Sequence, residues 1–200
     1  GGEGAGKSTQ IKILKKKLSN YLDVKITREP GGSNSAELIR SLLVRGKTNK
    51  WSALSEVLLN FAARHDHLEK VIIPNLTKNK CVITDRFTDS TYVYQGYGKG
   101  INIKLIKILD KLITKKIRPS ITILLNIDPK IGLRRSDNGI NKETRYEKMS
   151  LKYHQKINSS FLKIAKNEKK RFLIVDAALS KNEIANIIWK KISNKLNIKE

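Results

Sequence analysis

The chain opens on Gly1-Gly2-Glu3-Gly4-Ala5-Gly6-Lys7-Ser8, which reads G-x-x-x-x-G-K-S and runs directly into apolar residues Ile11, Leu14 and Leu18 at helical spacing. No other feature constrains the fold as tightly. Glycines let successive backbone N–H groups turn inward around phosphate oxygens, and a helix starting at Ser8 adds the positive end of its dipole. In that pattern Gly1 to Thr9 (Gly1, Gly2, Glu3, Gly4, Ala5, Gly6, Lys7, Ser8, Thr9) cradle the phosphates of a nucleotide. Lys7 meets the β- and γ-phosphates, and the Ser8 hydroxyl is a ligand for Mg²⁺. Such a loop ordinarily follows a buried strand. Residue 1 is already inside the motif, so the expectation is a sheet lacking its first, central strand, a deficit of roughly 5–10 residues.

Further along, helical periodicity alternates with short apolar runs. Helices are predicted over residues 8–22, 35–44, about 52–76 with a kink at Pro74, 103–116, from 128 onward, 145–166 and 181–195. Ser52 or Ser55 caps the third, and Asp128-Pro129 opens the fifth. Strands are predicted over 24–27, 80–84, 121–127 and 171–175. Helices of crossover length between strands argue for a parallel α/β sheet covered on both faces. Ligands in such folds lie beyond the carboxyl ends of the strands. Segments 1–8, 28–32, 85–96 and 128–145 all fall there. No linker or internal repeat divides the chain, so residues 1–200 form one domain, with a polar lid around 134–145.

Val82-Ile83-Thr84-Asp85-Arg86 places a carboxylate at the end of a buried strand beside the phosphate loop. Asp85 can organise Mg²⁺ and its waters, and the Arg86 fork suits a phosphate. Phosphoryl transfer between nucleotides also needs a second phosphate site and exclusion of water. Arg40, Arg64 and Arg86 are candidates for the acceptor. Arg134, Arg135 and Arg145 flank the polar loop 136–143, which could close and bring an arginine to the transferring group. His65 and His67 stand two apart on a helix and share no face, so they form no metal pair.

Composition narrows the alternatives. The formal net charge is +23, yet the lysines are scattered over helix faces without interleaved aromatics. That pattern favours solvated faces and attraction of anionic nucleotides over specific nucleic-acid recognition. No apolar run approaches membrane-spanning length. One cysteine, Cys81, suits a reducing, cytoplasmic setting.

The sequence resembles the thymidylate kinases along essentially its whole length. The resemblance is carried by GGEGAGKST at 1–9, TREPGG at 27–32, NFAARHDH at 60–67, TDRFTDSTYVYQG at 84–96, RPSITILLNIDPKIGLRR at 118–135 and RYE at 145–147. It implies the nucleoside-monophosphate-kinase fold, a five-stranded parallel sheet between helices. It also implies a homodimer and transfer of the γ-phosphoryl of ATP, with Mg²⁺, to dTMP. Glu3 would accept a hydrogen bond from the 3′-hydroxyl of the acceptor sugar. Arg86 and Arg40 would hold the acceptor phosphate, Arg64 would reach the thymine or its phosphate, and Thr91 and Gln95 would line the base pocket. Asp85 would assist Mg²⁺. Residues 2–5 contain no arginine, which resembles the bacterial arrangement with the transfer arginine in the lid, at Arg135 or Arg145 and then Arg134. The family's stacking aromatic is replaced by Asn60, and Phe61 beside it is the substitute candidate. Asn60 keeps a kinase for another nucleoside monophosphate as an alternative reading. A basic nucleic-acid-binding module built on the same phosphate loop is the other.

Overall fold

The computed structural model describes residues 1–137 and 145–198. Strands β1 (Val24–Arg28) and β2 (Cys81–Asp85) pair in parallel, with Val24 opposite Cys81 and Arg28 opposite Asp85. Strands β3 (Thr122–Asn126) and β4 (Phe172–Asp176) form a second parallel ladder, with Thr122 opposite Phe172. The parallel α/β class is as expected. The continuous five-stranded sheet is not seen: the described strands form two separate ladders. Residues of β2 and β3 together line a cavity of about 250 Å³, closed by Leu14 and Leu18 on one side and Ile188 and Ile192 on another.

Alternation along the strands explains the helical layers. In β3, Ile123 and Leu125 join a core with Val175, Ile184 and Ile188, while Leu124 faces the opposite core with Ile157 and Phe161. Successive strand side chains point to opposite faces, so one short apolar run feeds two cores. The first core is closed by α1 (Lys7–Leu18) and α9 (Lys181–Leu196), the second by α8 (Leu151–Asn167). The Ser180–Glu183 capping box starts α9 where the sequence turns from polar to periodic.

A further layer is built from α2 (Asn34–Val44), α3 (Ala53–His67) and α6 (Ile103–Thr114), which pack side by side and bury Val57, Phe61 and Ile106. Ser52, not Ser55, caps α3. The helix does not run uniformly to residue 76. A π-type turn over Leu68–Ile72 precedes α4 (Ile73–Thr77), which carries Pro74 in its first turn. Pro74 lacks an N–H and crowds the carbonyl four residues earlier, and the wider π turn accommodates that loss. Residues 88–98, for which no element is predicted, are helical: α5 (Thr88–Thr91) continues into a π-type segment over Tyr92–Gly98. After α7 (Pro129–Asp137), residues 138–144 lie outside the described residues, and with them most of the predicted lid loop 136–143. The helix expected from 145 begins at Leu151, capped by Ser150. Among the described residues no helix is long and apolar enough to cross a membrane.

Candidate active site

The carboxyl ends of β1 and β2 and the amino end of α1 converge on a cavity of about 480 Å³. The loop over residues 1–6 owes its path to missing side chains. Gly4 has a φ of 62°, and a Cβ there would lie 1.8 Å from the carbonyl oxygen of Gly132 in α7. Gly6, at φ 82°, sits at the N-cap of α1. L-residues seldom adopt that backbone region, and no side chain caps the first turn of α1. The uncapped N–H groups and the positive dipole end therefore face the cavity, where an anion can satisfy both.

Lys7 folds across this loop and donates to the carbonyl of Gly2 at 2.6 Å. Burial, then the neighbouring Arg86 guanidinium, lowers the pKa of the ammonium, against the opposing pull of Glu3 and Asp85. Arg86 follows β2 with a φ of 68°, an unusual conformation for a residue with a side chain. It donates to Glu3 Oε1 at 2.9 Å and to the carbonyl of Gly1 at 3.3 Å, with its guanidinium 5.0 Å from the Tyr94 ring centre. The Tyr94 hydroxyl donates to the same Glu3 oxygen at 2.9 Å. Burial by itself would raise the pKa of Glu3, but Arg86, Lys7 and the Tyr94 hydroxyl together hold it at about 2. Glu3 is thus an anchored carboxylate beside the phosphate loop, which explains an acidic residue in a place that phosphates would otherwise disfavour.

Asp85 lies at the end of β2, and its Oδ1 is buried with no hydrogen-bond partner among the described residues. An orphaned carboxylate oxygen between Lys7 and Arg86 has the donor chemistry of a Mg²⁺ site, directly or through water. Ser8, exposed in the first turn of α1, adds a hydroxyl. These residues fit the ion that the phosphate-loop pattern calls for.

At the other end of the cavity Arg64 is 3% exposed. Its Nε donates to Glu29 Oε2 at 2.7 Å and its Nη2 to the Thr91 hydroxyl at 3.0 Å, while Nη1 is buried without a hydrogen-bond partner among the described residues. Glu29 also contacts His67 Nδ1 at 3.1 Å, and His67 in turn meets the Thr27 hydroxyl at 2.5 Å. This chain of polar groups holds the guanidinium still and leaves the Nη1 amino group to be satisfied. His67 packs in the interior and His65 is exposed. Gln95, 3% exposed, donates from its amide nitrogen to Glu56 Oε2 at 3.1 Å and to the Tyr146 hydroxyl at 3.2 Å. Arg40 reaches the carbonyl of Pro30 at 2.7 Å. Arg135 donates to the carbonyl of Ala177 at 2.8 Å.

Most of the residues singled out from sequence meet around this one cavity: Glu3, Gly4, Ala5, Gly6, Lys7, Ser8, Thr9, Arg40, Arg64, Asp85, Arg86, Thr91, Gln95 and Arg135. Gly1 and Gly2 contribute through their carbonyls, which hold Arg86 and Lys7. Three candidates, Phe61, Arg145 and Arg134, are placed elsewhere. Phe61 is 2% exposed within the α3–α6 core, one helical step from the cavity, and Arg64 sits 4.9 Å over its ring. Asn60 takes the wall position, tied to the carbonyl of Glu56 at 2.8 Å. Arg145 is 1% exposed and its guanidinium is occupied by the carbonyls of Leu43, Lys47 and Thr48 and by the Glu56 carboxylate. A fully engaged, buried fork is not available to reach a transferring group in this arrangement. Arg134 is exposed and does not line the cavity. Sequence reasoning did not single out Tyr94, Tyr146, Glu29 or Glu56. The first lies inside the YVYQG run and was legible there. Glu29 and Tyr146 lie inside the TREPGG and RYE runs, but their roles, like that of Glu56, depend on partners 35 or more residues away, which those runs do not identify.

Among the described residues the cavity wall carries six cationic side chains (Lys7, Arg28, Arg40, Arg64, Arg86, Arg135) against four carboxylates (Glu3, Glu29, Asp85, Glu147). The excess, with an ammonium whose pKa is depressed, describes a site short of anionic charge.

Comparisons agree with that chemistry. Residues 1–188 match the family model for thymidylate kinase. A thymidylate kinase of Geotalea daltonii is 41% identical over 202 residues, spanning 98% of this chain and 94% of that protein. One from Caulobacter vibrioides is 43% identical over 178 residues, covering 88% and 85% respectively. The crystal structure of thymidylate kinase from Ehrlichia chaffeensis superposes with a TM-score of 0.77 at 31% identity, over 96% of this chain and 93% of that one. A phosphate loop, a second cluster of arginines facing it, and this likeness along the whole length lead to one conclusion: the chain belongs to the thymidylate kinase family.

Proposed function

We propose that this chain transfers the γ-phosphoryl group of ATP to dTMP, giving ADP and dTDP. One observation carries the reading: a single cavity joins the phosphate loop and Lys7 to a second cationic cluster, Arg86 and Arg40, and beyond that to a polar wall suited to a base. The loop amides, the start of α1 and Lys7 take the donor phosphates. Arg86 and Arg40 take the acceptor phosphate and bring its oxygen in line with the γ-phosphorus. That oxygen attacks, the bond to the β,γ-bridging oxygen breaks, and its electron pair leaves with ADP. Lys7, Arg86 and the lid-side Arg135 stabilise charge gathering on the transferred group. Asp85 and Ser8 would hold Mg²⁺, which when bound would neutralise phosphate charge.

The acceptor is read by three groups. Glu3, kept ionised, accepts from the 3′-hydroxyl of the sugar. The unpartnered Arg64 Nη1 donates to a carbonyl of the base. Gln95, with both amide hydrogens engaged, offers its oxygen to a ring N–H. A donor beside an acceptor complements an imide edge, which thymine has and cytosine lacks.

We also propose a homodimer and a cytoplasmic setting. Leu38 and Leu42 on α2, Leu54 and Leu58 on α3, and Ile108 and Leu112 on α6 are exposed, on three helices packed side by side. Apolar stripes at i, i+4 on adjacent helices are best buried against a second copy of themselves. The half-buried thiol of Cys81 suits a reducing compartment.

Steady-state rates with dTMP, dUMP, dCMP, AMP and thymidine test the reaction. The highest kcat/KM is expected for dTMP. A preference for AMP or for an unphosphorylated nucleoside would reject the proposal.

A further inference from the structure

Glu56 is fully buried in α3 and touches neither phosphate site. Its carboxylate nevertheless collects four donors. Oε1 accepts from Arg145 and from Lys99 Nζ at 2.5 Å; Oε2 accepts from Gln95 Nε2 at 3.1 Å and from the Tyr146 hydroxyl at 3.3 Å. Gln95 Nε2 also donates to the Tyr146 oxygen at 3.2 Å. The assignments are mutually consistent. Tyr146 gives its one proton to Glu56 and receives one from Gln95, so both amide hydrogens of Gln95 are consumed. The Gln95 oxygen is the part left to face the cavity.

An amide can rotate by half a turn about its last bond at little intrinsic cost. Here the flipped state would set the Gln95 oxygen against the buried Glu56 carboxylate and leave Nε2 pointing at the base. Two acceptors facing each other without a proton, away from water, is a costly arrangement. Arg145 and Lys99 keep Glu56 ionised and therefore an acceptor only.

We propose that Glu56 is a positioning residue that locks the amide of Gln95 with its oxygen toward the acceptor base, so that a buried carboxylate sets the preference for an imide N–H over a ring nitrogen acceptor. The inference rests on reading the cavity as the acceptor-base pocket. Arg145 takes part at one remove: it neutralises Glu56 and ties it to the carbonyls of Leu43, Lys47 and Thr48.

The test is the ratio of kcat/KM for dTMP to that for dCMP, both measured on the same preparation. This ratio is independent of the fraction of enzyme that is folded, so simple destabilisation does not move it. In Glu56→Gln the new side chain can either donate to or accept from Gln95, and the lock is lost. The ratio is expected to fall by about 10-fold or more, mainly through a raised KM for dTMP. In a Gln95→Leu background, where there is no amide to orient, adding Glu56→Gln should leave the ratio where Gln95→Leu put it. An unchanged ratio in the single variant, or an equal drop in both backgrounds, overturns the inference. Should Glu56→Gln fail to fold, the side-chain amide of Gln95 is followed in the parent protein by nitrogen–proton NMR: both amide hydrogens should exchange slowly with solvent, and rapid exchange of either counts against the lock. If the unaltered protein shows no transfer to dTMP at all, the function reading itself has failed, which is a separate result.

Discussion

Replacing Arg145 by alanine separates two roles that the sequence leaves together. A lid arginine that reaches the transferring phosphoryl group only during closure contributes to kcat and little to stability. The arginine in this structure is 1% exposed, pairs with a carboxylate that is itself fully buried, and serves three backbone carbonyls. Removing one partner of a buried ion pair strands the other, at about 3–5 kcal/mol. The orphaned carbonyls add to that, less than additively because water can enter the vacated space. For a chain of this length each kcal/mol corresponds to about 2–4 °C, so a Tm drop on the order of 10 °C is expected. Urea unfolding followed by circular dichroism should show the midpoint falling with an unchanged slope. The residual folded protein should retain much of its turnover at saturating substrate. A variant that melts within about 2 °C of the parent, roughly 1 kcal/mol, while losing about 100-fold in kcat, the scale of a lost transition-state partner, would refute this reasoning and return Arg145 to the transfer step.

Lys7→Ala and Arg86→Ala should each lower kcat/KM for dTMP by at least about 100-fold, since each withdraws a cation from developing phosphate charge; near-normal rates would remove both from the mechanism. Glu3→Gln should harm use of dTMP while ATP binding, followed by calorimetry, persists. The same variant carries a pH signature. The pKa of Glu3 is lowered on folding from 4.5 to about 2, so its contribution is complete above 4.5 and is lost as pH falls from there toward 2. The full difference is roughly 3 kcal/mol, and an acid titration of stability should be shallower across that window in Glu3→Gln than in the parent. Leu58→Asp, placed at a side chain 50% exposed on α3, should convert the proposed dimer to monomer in sedimentation equilibrium; a parent that is already monomeric would remove the proposal.

The phosphate loop, the strand–helix alternation and the Asp85-Arg86 pair were legible because each is a local pattern: the spacing of glycines, the period of apolar residues, a carboxylate just past a strand. Those patterns sufficed for the family, for the fold class and for most of the cavity wall. The gaps share a cause. Phe61 and Asn60 differ by one step around a helix, and only the packing of α3 against α6 determines which of them turns to the core. Pro74 announced a disturbance, but its form, a π turn two to six residues earlier at Leu68–Ile72, depended on what the helix packs against. Arg135 and Arg145 flank the same polar loop, yet one lines the cavity and the other is sealed beneath α2 and α3. Charge, spacing and periodicity belong to the chain as written. Whether a given arginine meets a ligand or a buried glutamate 89 residues away is a matter of which surfaces come together, because desolvation and pairing depend on neighbours that are remote along the chain.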